Sequence, residues 1–540
     1  MQTVVSSLLF TLFAGGMTGL AAAQGPAPAA PAAKAPAAKA PAAKEALPQP
    51  SANPKDFYVQ NPTSPLREIR GTWVTTTGNS AIATAANTAA TMKQLADIGL
   101  NTVYVETWKN GYTQYPSEVL KRTIGVDRRP ALVPQDPSDS EETRKQAARD
   151  LLEETLIEAH RNGLIYVGWF EYGFMAAHKS TDNHLRRLKP HWMSRDKAGS
   201  EIAPNGFVWM NPLHPEPRRF LLDLVLEAIE KYDMDGVQID DRIVWPYITM
   251  GYDDYTKAAY ANEHGGRLPP ENHEDVAWRR WRADKVNEYS KLFTQEIRSK
   301  HPGVLVSLSP AVYNWCFINY CLEWPKWAAW TSADRLPLPG DPAASKTDPV
   351  WDEFIPQVYR FNYEAFEKTW IDQVGHMRRL GANRVNDMLA GIRVVGEGPD
   401  ATWEDLVKSI ELVRNTGGGG HVHWFSRGVL DVYPEQLKGY YNIASNGRAA
   451  NPHFPAGWRL PSVPLTQAGG KWEGSGAAKG TWRAIFHNGR RWAYFGEPIT
   501  VSSPEQKISL TAPEGATKVE LLIDRRTDRA MAKVGVNAGE

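Results

Sequence analysis

The segment Met234-Asp-Gly-Val-Gln-Ile-Asp-Asp-Arg-Ile-Val-Trp-Pro246 sets the frame for the whole chain. A short apolar run, Val237 to Ile239, stops at two adjacent carboxylates, Asp240 and Asp241. Bounded by Gly236 and Pro246 and preceded by a helical pattern, the run reads as a buried strand. Side chains alternate along a strand. Val237 and Ile239 therefore face an apolar helix layer, and Gln238 and Asp240 face the other side. Ionised groups at the end of a buried strand are costly unless something uses them. In a parallel α/β barrel, that end of a strand is where sites are built.

Strand and helix patterns alternate on both sides of this segment. The strands read as Ile69–Thr75, Asn101–Trp108, Leu164–Tyr172, the Asp240 strand, Val304–Ser309, Phe354–Tyr359, Leu389–Val395 and His421–Ser426. Helices are expected at Ala85–Ile98, Glu141–Arg161, Pro217–Tyr232, Val276–Lys300, Tyr363–Leu380 and Trp403–Asn415. Eight strands separated by helices and long loops predict an α/β fold, a (β/α)8 TIM barrel over 65–450. A doubly wound open sheet is the alternative. For a nucleotide it would need a Gly-rich phosphate loop after the first strand, which Gly71-Thr-Trp-Val-Thr does not offer.

The flanks differ in composition. Residues 1–23 read as a signal peptide, with an apolar run from Ser6 to Leu20 and Ala21-Ala22-Ala23 as a cleavage site. An exported protein, periplasmic or extracellular, is therefore expected, with no membrane span once the signal is removed. Residues 24–60 repeat Ala-Pro-Ala-Ala-Lys and read as an extended, disordered linker. Residues 464–540 carry short spaced strands and turns such as Asn488-Gly489, and read as a small C-terminal all-β, sandwich-like domain. Cys316 and Cys321 could pair after export or remain two free thiols. The formal net charge is zero, so nothing points to nucleic acid as a partner.

The alternation test picks out residues that share the barrel interior near the strand ends. Tyr104, Glu106 and Trp108 share the inward side of the second strand. Ser307 and Ser309 face inward on the fifth, Gln357 and Tyr359 share a side of the sixth, and Arg393 faces inward on the seventh. On the eighth, Val422 and Trp424 are expected outward and His421 and His423 inward. The third strand is apolar on both sides and ends in Glu171-Tyr172, so its phase stays open. Glu106 and Arg393 could form a structural ion pair. Asp241, beside Arg242, suits a structural partner or cap. His421 and His423 could bind a metal, but no third ligand stands out, and a satisfied core histidine or a sugar hydroxyl contact is the simpler reading.

No Gly-x-Ser-x-Gly elbow or His-Glu-x-x-His helix is present, which argues against a serine esterase or a zincin. Carboxylates with Tyr, Trp, Gln and His at a barrel mouth suit glycoside cleavage, in which one carboxylic acid protonates the leaving oxygen and a second carboxylate attacks or activates water. The expected catalytic set is Asp240, Glu171, Glu106 and Asp241. Trp108, Trp169, Tyr172 and Trp245 are expected to form a sugar platform, with Gln357, Tyr359, Arg393 and His423 orienting hydroxyls or carboxylates. No cofactor and no metal are expected. A glycan-binding barrel without turnover and a metal-dependent deacetylase are the rival readings.

The blocks Arg67-Glu-Ile-Arg-Gly-Thr-Trp-Val, Gly99-Leu-Asn-Thr-Val-Tyr-Val, Trp209-Met-Asn-Pro-Leu-His-Pro-Glu, Tyr232-Asp-Met-Asp-Gly-Val-Gln-Ile-Asp-Asp and Pro356-Gln-Val-Tyr-Arg occur in order. Over roughly residues 65 to 430 the chain resembles the glycosyl hydrolase-like 10 family. The resemblance implies a glycosidase barrel and an envelope polysaccharide as substrate, including peptide-free peptidoglycan strands. Asp240 and Asp241 match the family's Asp-Asp pair, Asn211 and His214 its Asn-Pro-x-His-Pro block, and Gln357 and Tyr359 its Pro-Gln-x-Tyr block. The Pro-rich stretch between Trp327 and Trp351 departs from the family spacing and looks like an insertion.

Overall fold

A computed structural model describes residues 66–134, 138, 140, 147–334, 350–445, 449–454 and 462–524. The expected signal segment and linker, residues 335–349 of the expected insertion, and the start of the helix expected from Glu141 lie outside these residues.

The barrel strands are β1 (Ile69–Val74), β2 (Thr102–Glu106), β3 (Ile165–Phe170), β4 (Gly236–Asp240) and β5 (Leu305–Ser309). They continue with β6 in two pieces (Glu353–Phe354 and Gln357–Val358), β7 (Leu389–Arg393) and β8 (Gly420–Trp424). All pair in parallel, and β8 pairs with β1. The two pieces of β6 close the sheet: the first pairs with β5, the second with β7. Pro356 sits at the break. It has no N–H for either ladder, while its carbonyl accepts from Gly391 N at 3.0 Å.

Helices α1 (Ala85–Ile98), α2 (Leu151–Arg161), α3 (Pro215–Lys231), α4 (Val276–Lys300), α5 (Tyr363–Leu380), α6 (Trp403–Asn415) and α7 (Pro434–Ser445) surround the sheet. Their starts are written locally. Thr84, Asp150, Asp275, Asn362 and Thr402 each accept a first-turn backbone N–H, satisfying a donor that the helix leaves unpaired. After β5 the helix layer holds short helices at Trp315–Tyr320 and Trp324–Trp327 and a 3-10 turn at Ser332–Asp334. Cys316 and Cys321 lie there as buried free thiols.

The interior is polar in its middle layer. Trp73 Nε1 donates to Gln238 Oε1 at 2.7 Å, and Gln238 Nε2 donates to Ser307 Oγ at 2.8 Å. Tyr104 OH donates to Glu353 Oε1 at 2.8 Å. Gly71 is needed here for space: a Cβ would stand 2.9 Å from the Tyr104 ring and 3.1 Å from Val422.

Strands β9 (Ser462–Ala468), β10 (Lys471–Gly474), β11 (Gly480–His487), β12 (Trp492–Val501), β13 (Ile508–Leu510) and β14 (Lys518–Ile523) form an antiparallel sheet ordered β12-β11-β14-β9-β10-β13. It rests on α2 through Ile157, Ile485, Trp492 and Leu522. Arg161 stacks 4.2 Å over Trp492 and makes paired bonds to Glu520 at 2.9 and 3.0 Å. Among the described residues no helix is long and apolar enough to cross a membrane.

Candidate active site

Parallel pairing brings the ends of β2, β3 and β4 side by side. Glu106 pairs with Trp169, Phe170 with Ile239, and Ser309 with Asp240. Glu171 follows β3 directly. Trp169 lies in the barrel, 6.3 Å from Trp73 and 6.0 Å from Trp424. The phase left open in the sequence is thus settled, and Glu171 falls at the same mouth as Glu106 and Asp240. Glu106, Glu171 and Asp240 are each at most 3% exposed.

Two cations organise these carboxylates. Lys109 Nζ lies 2.8 Å from Glu106 Oε2, 3.1 Å from Glu171 Oε2 and 3.3 Å from Thr77 Oγ1. Glu106 also accepts from Thr76 N at 3.1 Å and from the Thr76 hydroxyl. Arg242 donates to Asp240 Oδ2, lies 3.1 Å from Asp241 Oδ1 and donates to Glu171 O at 3.1 Å. Asp240 Oδ1 accepts from Gln357 Nε2 and, at 2.9 Å, from Asp241 N. Asp240 thus meets donors only, the surroundings of a carboxylate. Glu171 Oε2 has the Lys109 charge beside it but no aligned hydrogen bond.

Burial raises the pKa of Glu171, against the pull of Lys109 and with Glu106 adding to the rise. Burial also raises Asp240 well above its ordinary value, opposed by Arg242 and reinforced by Asp241 and Glu171. These carboxyls share one low-dielectric space and titrate as a set. Such perturbation is a mark of sites that move protons.

The ion pair considered between Glu106 and Arg393 does not form, since Lys109 takes Glu106. Arg393 donates to the Glu397 carbonyl and to Pro399 O at 2.7 Å, and so holds the loop after β7. On β8 the expected orientation is reversed. Trp424 lies inside, 5.8 Å from Trp73 and 5.5 Å from Tyr359. His421 and His423 instead face the helix layer, where both Nε2 atoms meet the Tyr441 hydroxyl at 2.8 and 2.9 Å. The interior opposite Gly71 takes Val422, and the aromatic layer above takes Trp424. The imidazoles are left to a layer where α7 supplies a polar partner. His423 therefore lies outside the mouth.

The expected platform also changes. Trp108 is fully buried, donates to Gly173 O at 3.0 Å and packs edge-on to Phe220 of α3. β2 ends at Glu106, so strand alternation does not extend to Trp108, which starts a short hairpin with Tyr112–Thr113. Trp245 is buried between Trp278 and Trp281 and donates to Met250 O at 3.0 Å. Tyr172 is 8% exposed and packs on Phe207. Asn211 donates to Asp253 and Thr256, both at 2.8 Å, and orders a loop. His214 caps α3, and its ring lies tilted against Tyr255 with centroids 4.5 Å apart. Trp169, Tyr359 and Trp424 are the aromatic residues that the mouth brings together. Trp424, Lys109 and Arg242 were missed as site residues. An arginine next to an Asp-Asp pair and a lysine three residues after Glu106 were the available signals.

The glycosyl hydrolase-like 10 family model matches residues 68–393. Glycosyl hydrolase YngK of Bacillus subtilis is 29% identical over 171 residues, 31% of this chain and 30% of that protein. Glycosyl hydrolase DigH of Escherichia coli is 22% identical over 237 residues, 41% of this chain and 46% of that protein. The matches thus span less than half of either relative. Among solved structures, the PgaB (BpsB) glycoside hydrolase domain of Bordetella bronchiseptica aligns with a TM-score of 0.47 at 13% identity, over 71% of this chain and 99% of that one. With the family match covering more than half of the sequence, this chain belongs to the glycosyl hydrolase-like 10 family.

Proposed function

We infer that this protein is an exported hydrolase of the glycosidic bonds of a bacterial cell-envelope polysaccharide, with peptide-free peptidoglycan glycan as the first substrate to test. The observation that carries this reading is the placement of Glu171 and Asp240 at adjoining strand ends in different surroundings. Asp240 meets only donors, from Arg242, Gln357 and the Asp241 backbone N–H, and these favour the carboxylate needed in a nucleophile or general base against the burial that raises its pKa. Glu171 is buried, lacks an aligned donor on Oε2 and is raised by burial, the form needed in a general acid. Glu171 protonates the glycosidic oxygen as the bond breaks, and Asp240 attacks the anomeric carbon or activates water. Lys109, itself anchored on Glu106, holds Glu171 in place, while Arg242 and Gln357 hold Asp240. Tyr359 and Trp424 offer apolar faces to the sugar.

Mass spectrometry of soluble products from peptide-free glycan, beside the Asp240→Asn variant, tests the reading. Reducing-end fragments from the parent alone are expected. Anhydro products would replace hydrolysis with lytic transglycosylation. Unchanged affinity with no products from the parent, on this glycan and on a panel of other envelope polysaccharides, would favour a binding protein.

A further inference from the structure

Just outside the barrel wall, between β6 and β7 on the inside and α5 and α6 on the outside, lies a small, partly open recess. Its floor is apolar, formed by Val358, Phe366, Ile392 and Leu406. Its charged lining is Arg360, Arg393 and one carboxylate, Asp405. Both arginines lack a carboxylate partner among the described residues. Arg393 is 4% exposed, and its Nη1 has no partner. Arg360 gives Nε to Thr369 Oγ1 at 3.0 Å and Nη1 to Tyr359 O at 2.8 Å. Glu397 and Asp400 act on Arg393 only at a distance, and Asp400 is paired with Arg427 at 3.0 Å.

Buried guanidinium groups are ordinarily paired, because desolvating an uncompensated charge is costly. Arg393 is buried and Arg360 half-buried, and together they leave positive charge in the recess for a ligand to neutralise. The N-terminal ends of α5 and α6 adjoin the same recess through Asn362 and Ala401, adding the positive ends of two helix dipoles. Phe361, 54% exposed, lies 4.5 Å under the Arg393 guanidinium and forms an apolar edge. Tyr359, next to Arg360 in the chain, belongs to the mouth, so the recess sits just over the rim.

We propose that this recess is an oxyanion subsite that takes the carboxylate or phosphate of an acidic substituent on a glycan lying across the barrel mouth. The assignment of the anion to a glycan rests on the proposed function; the anion site itself does not. Arg360 and Arg393 supply the charged donors and Phe361 supports the sugar that carries the group. A planar guanidinium suits either oxyanion, through paired N–H donors.

The test uses the full-length protein. Inorganic phosphate is titrated by calorimetry at constant ionic strength, with chloride as control, in the parent, Arg360→Gln and Arg393→Gln. Saturable phosphate binding, weakened about tenfold or more in each variant, is expected, since a charge-assisted bond is worth roughly 1.5–3 kcal/mol. Arg393 also holds a loop, so Arg360→Gln keeps the test valid if Arg393→Gln fails to fold. No saturable binding in the parent, or equal binding in a folded Arg360→Gln, overturns the site. A second arm compares binding of an acidic oligosaccharide with its carboxyl-reduced form. Preference for the acidic form in the parent, lost in Arg360→Gln, assigns the anion to the glycan. Phosphate binding without that preference overturns the glycan assignment and makes free phosphate the ligand. Neither arm reads turnover, so an inactive mouth and an absent subsite give different results.

Discussion

Lys109 Nζ lies 3.1 Å from Glu171 Oε2 while also contacting Glu106 at 2.8 Å, so one ammonium ties the ends of two neighbouring barrel strands. Lys109 pulls the Glu171 pKa down against burial. Replacing it with Met removes that pull and leaves two buried carboxyls without their cation. The basic limb of the kcat/KM profile of Lys109→Met is expected to move to higher pH, because the acid holds its proton longer. Stability is expected to fall by about 3 kcal/mol, the cost of breaking a buried pair. A pH–rate series and denaturant melts check both; an unmoved basic limb would separate Lys109 from Glu171.

Asp240→Asn keeps the shape of the side chain and removes the negative charge. Turnover is expected to fall by about 100-fold or more, with the far-UV spectrum unchanged. Full activity in a folded Asp240→Asn protein would sink the assigned role.

Glu68 is clamped between Arg70 and Arg414, with distances of 2.7 Å to Arg70 Nε and 2.6 Å to Arg414 Nη2. Burial opposes its charge, but the two guanidinium groups outweigh it and hold the carboxyl well below the usual range. Its contribution is present above the unfolded pKa, near 4.3, and is lost as pH falls through the folded value. Glu68→Gln is expected to cost about 3–5 kcal/mol at pH 7 and less in acid, as measured by urea melts at both pH values.

His421 and His423 are fully buried behind β8. Burial holds His423 at about 3, and His421 is also lowered well below its ordinary value. The unfolded chain binds these protons below about pH 6.5 and the folded chain does not, so stability declines as pH drops from there. Each histidine is expected to contribute about 1.4 kcal/mol per pH unit. His423→Gln should flatten the acid decline by one such share in melts between pH 6.5 and 4. A slope unchanged by the substitution would show that His423 takes up its proton in the folded state.

The sequence of this protein determined the elements and much of their order. Periodicity placed Ala85–Ile98, Val276–Lys300 and Tyr363–Leu380 where the structure has them, because helix caps and apolar spacing are local properties. It also determined that Asp240 ends a buried strand on the side opposite Ile239, since alternation is geometric. In the C-terminal sheet, β9 and β10 went unread; the burial of β10 alternates only between exposed and half-buried, which leaves little apolar contrast. Tertiary structure alone decided which way β8 faces, as Val422 and Trp424 are equally plausible inward or outward until Gly71, Trp73 and Tyr441 are in place. It alone placed Trp108 and Trp245 in the packing, because both lie beyond strand ends where alternation stops. And it alone brought Lys109 to Glu171 and Arg242 to Asp240: these charges meet because parallel strands pair in register, a long-range condition that no local pattern carries.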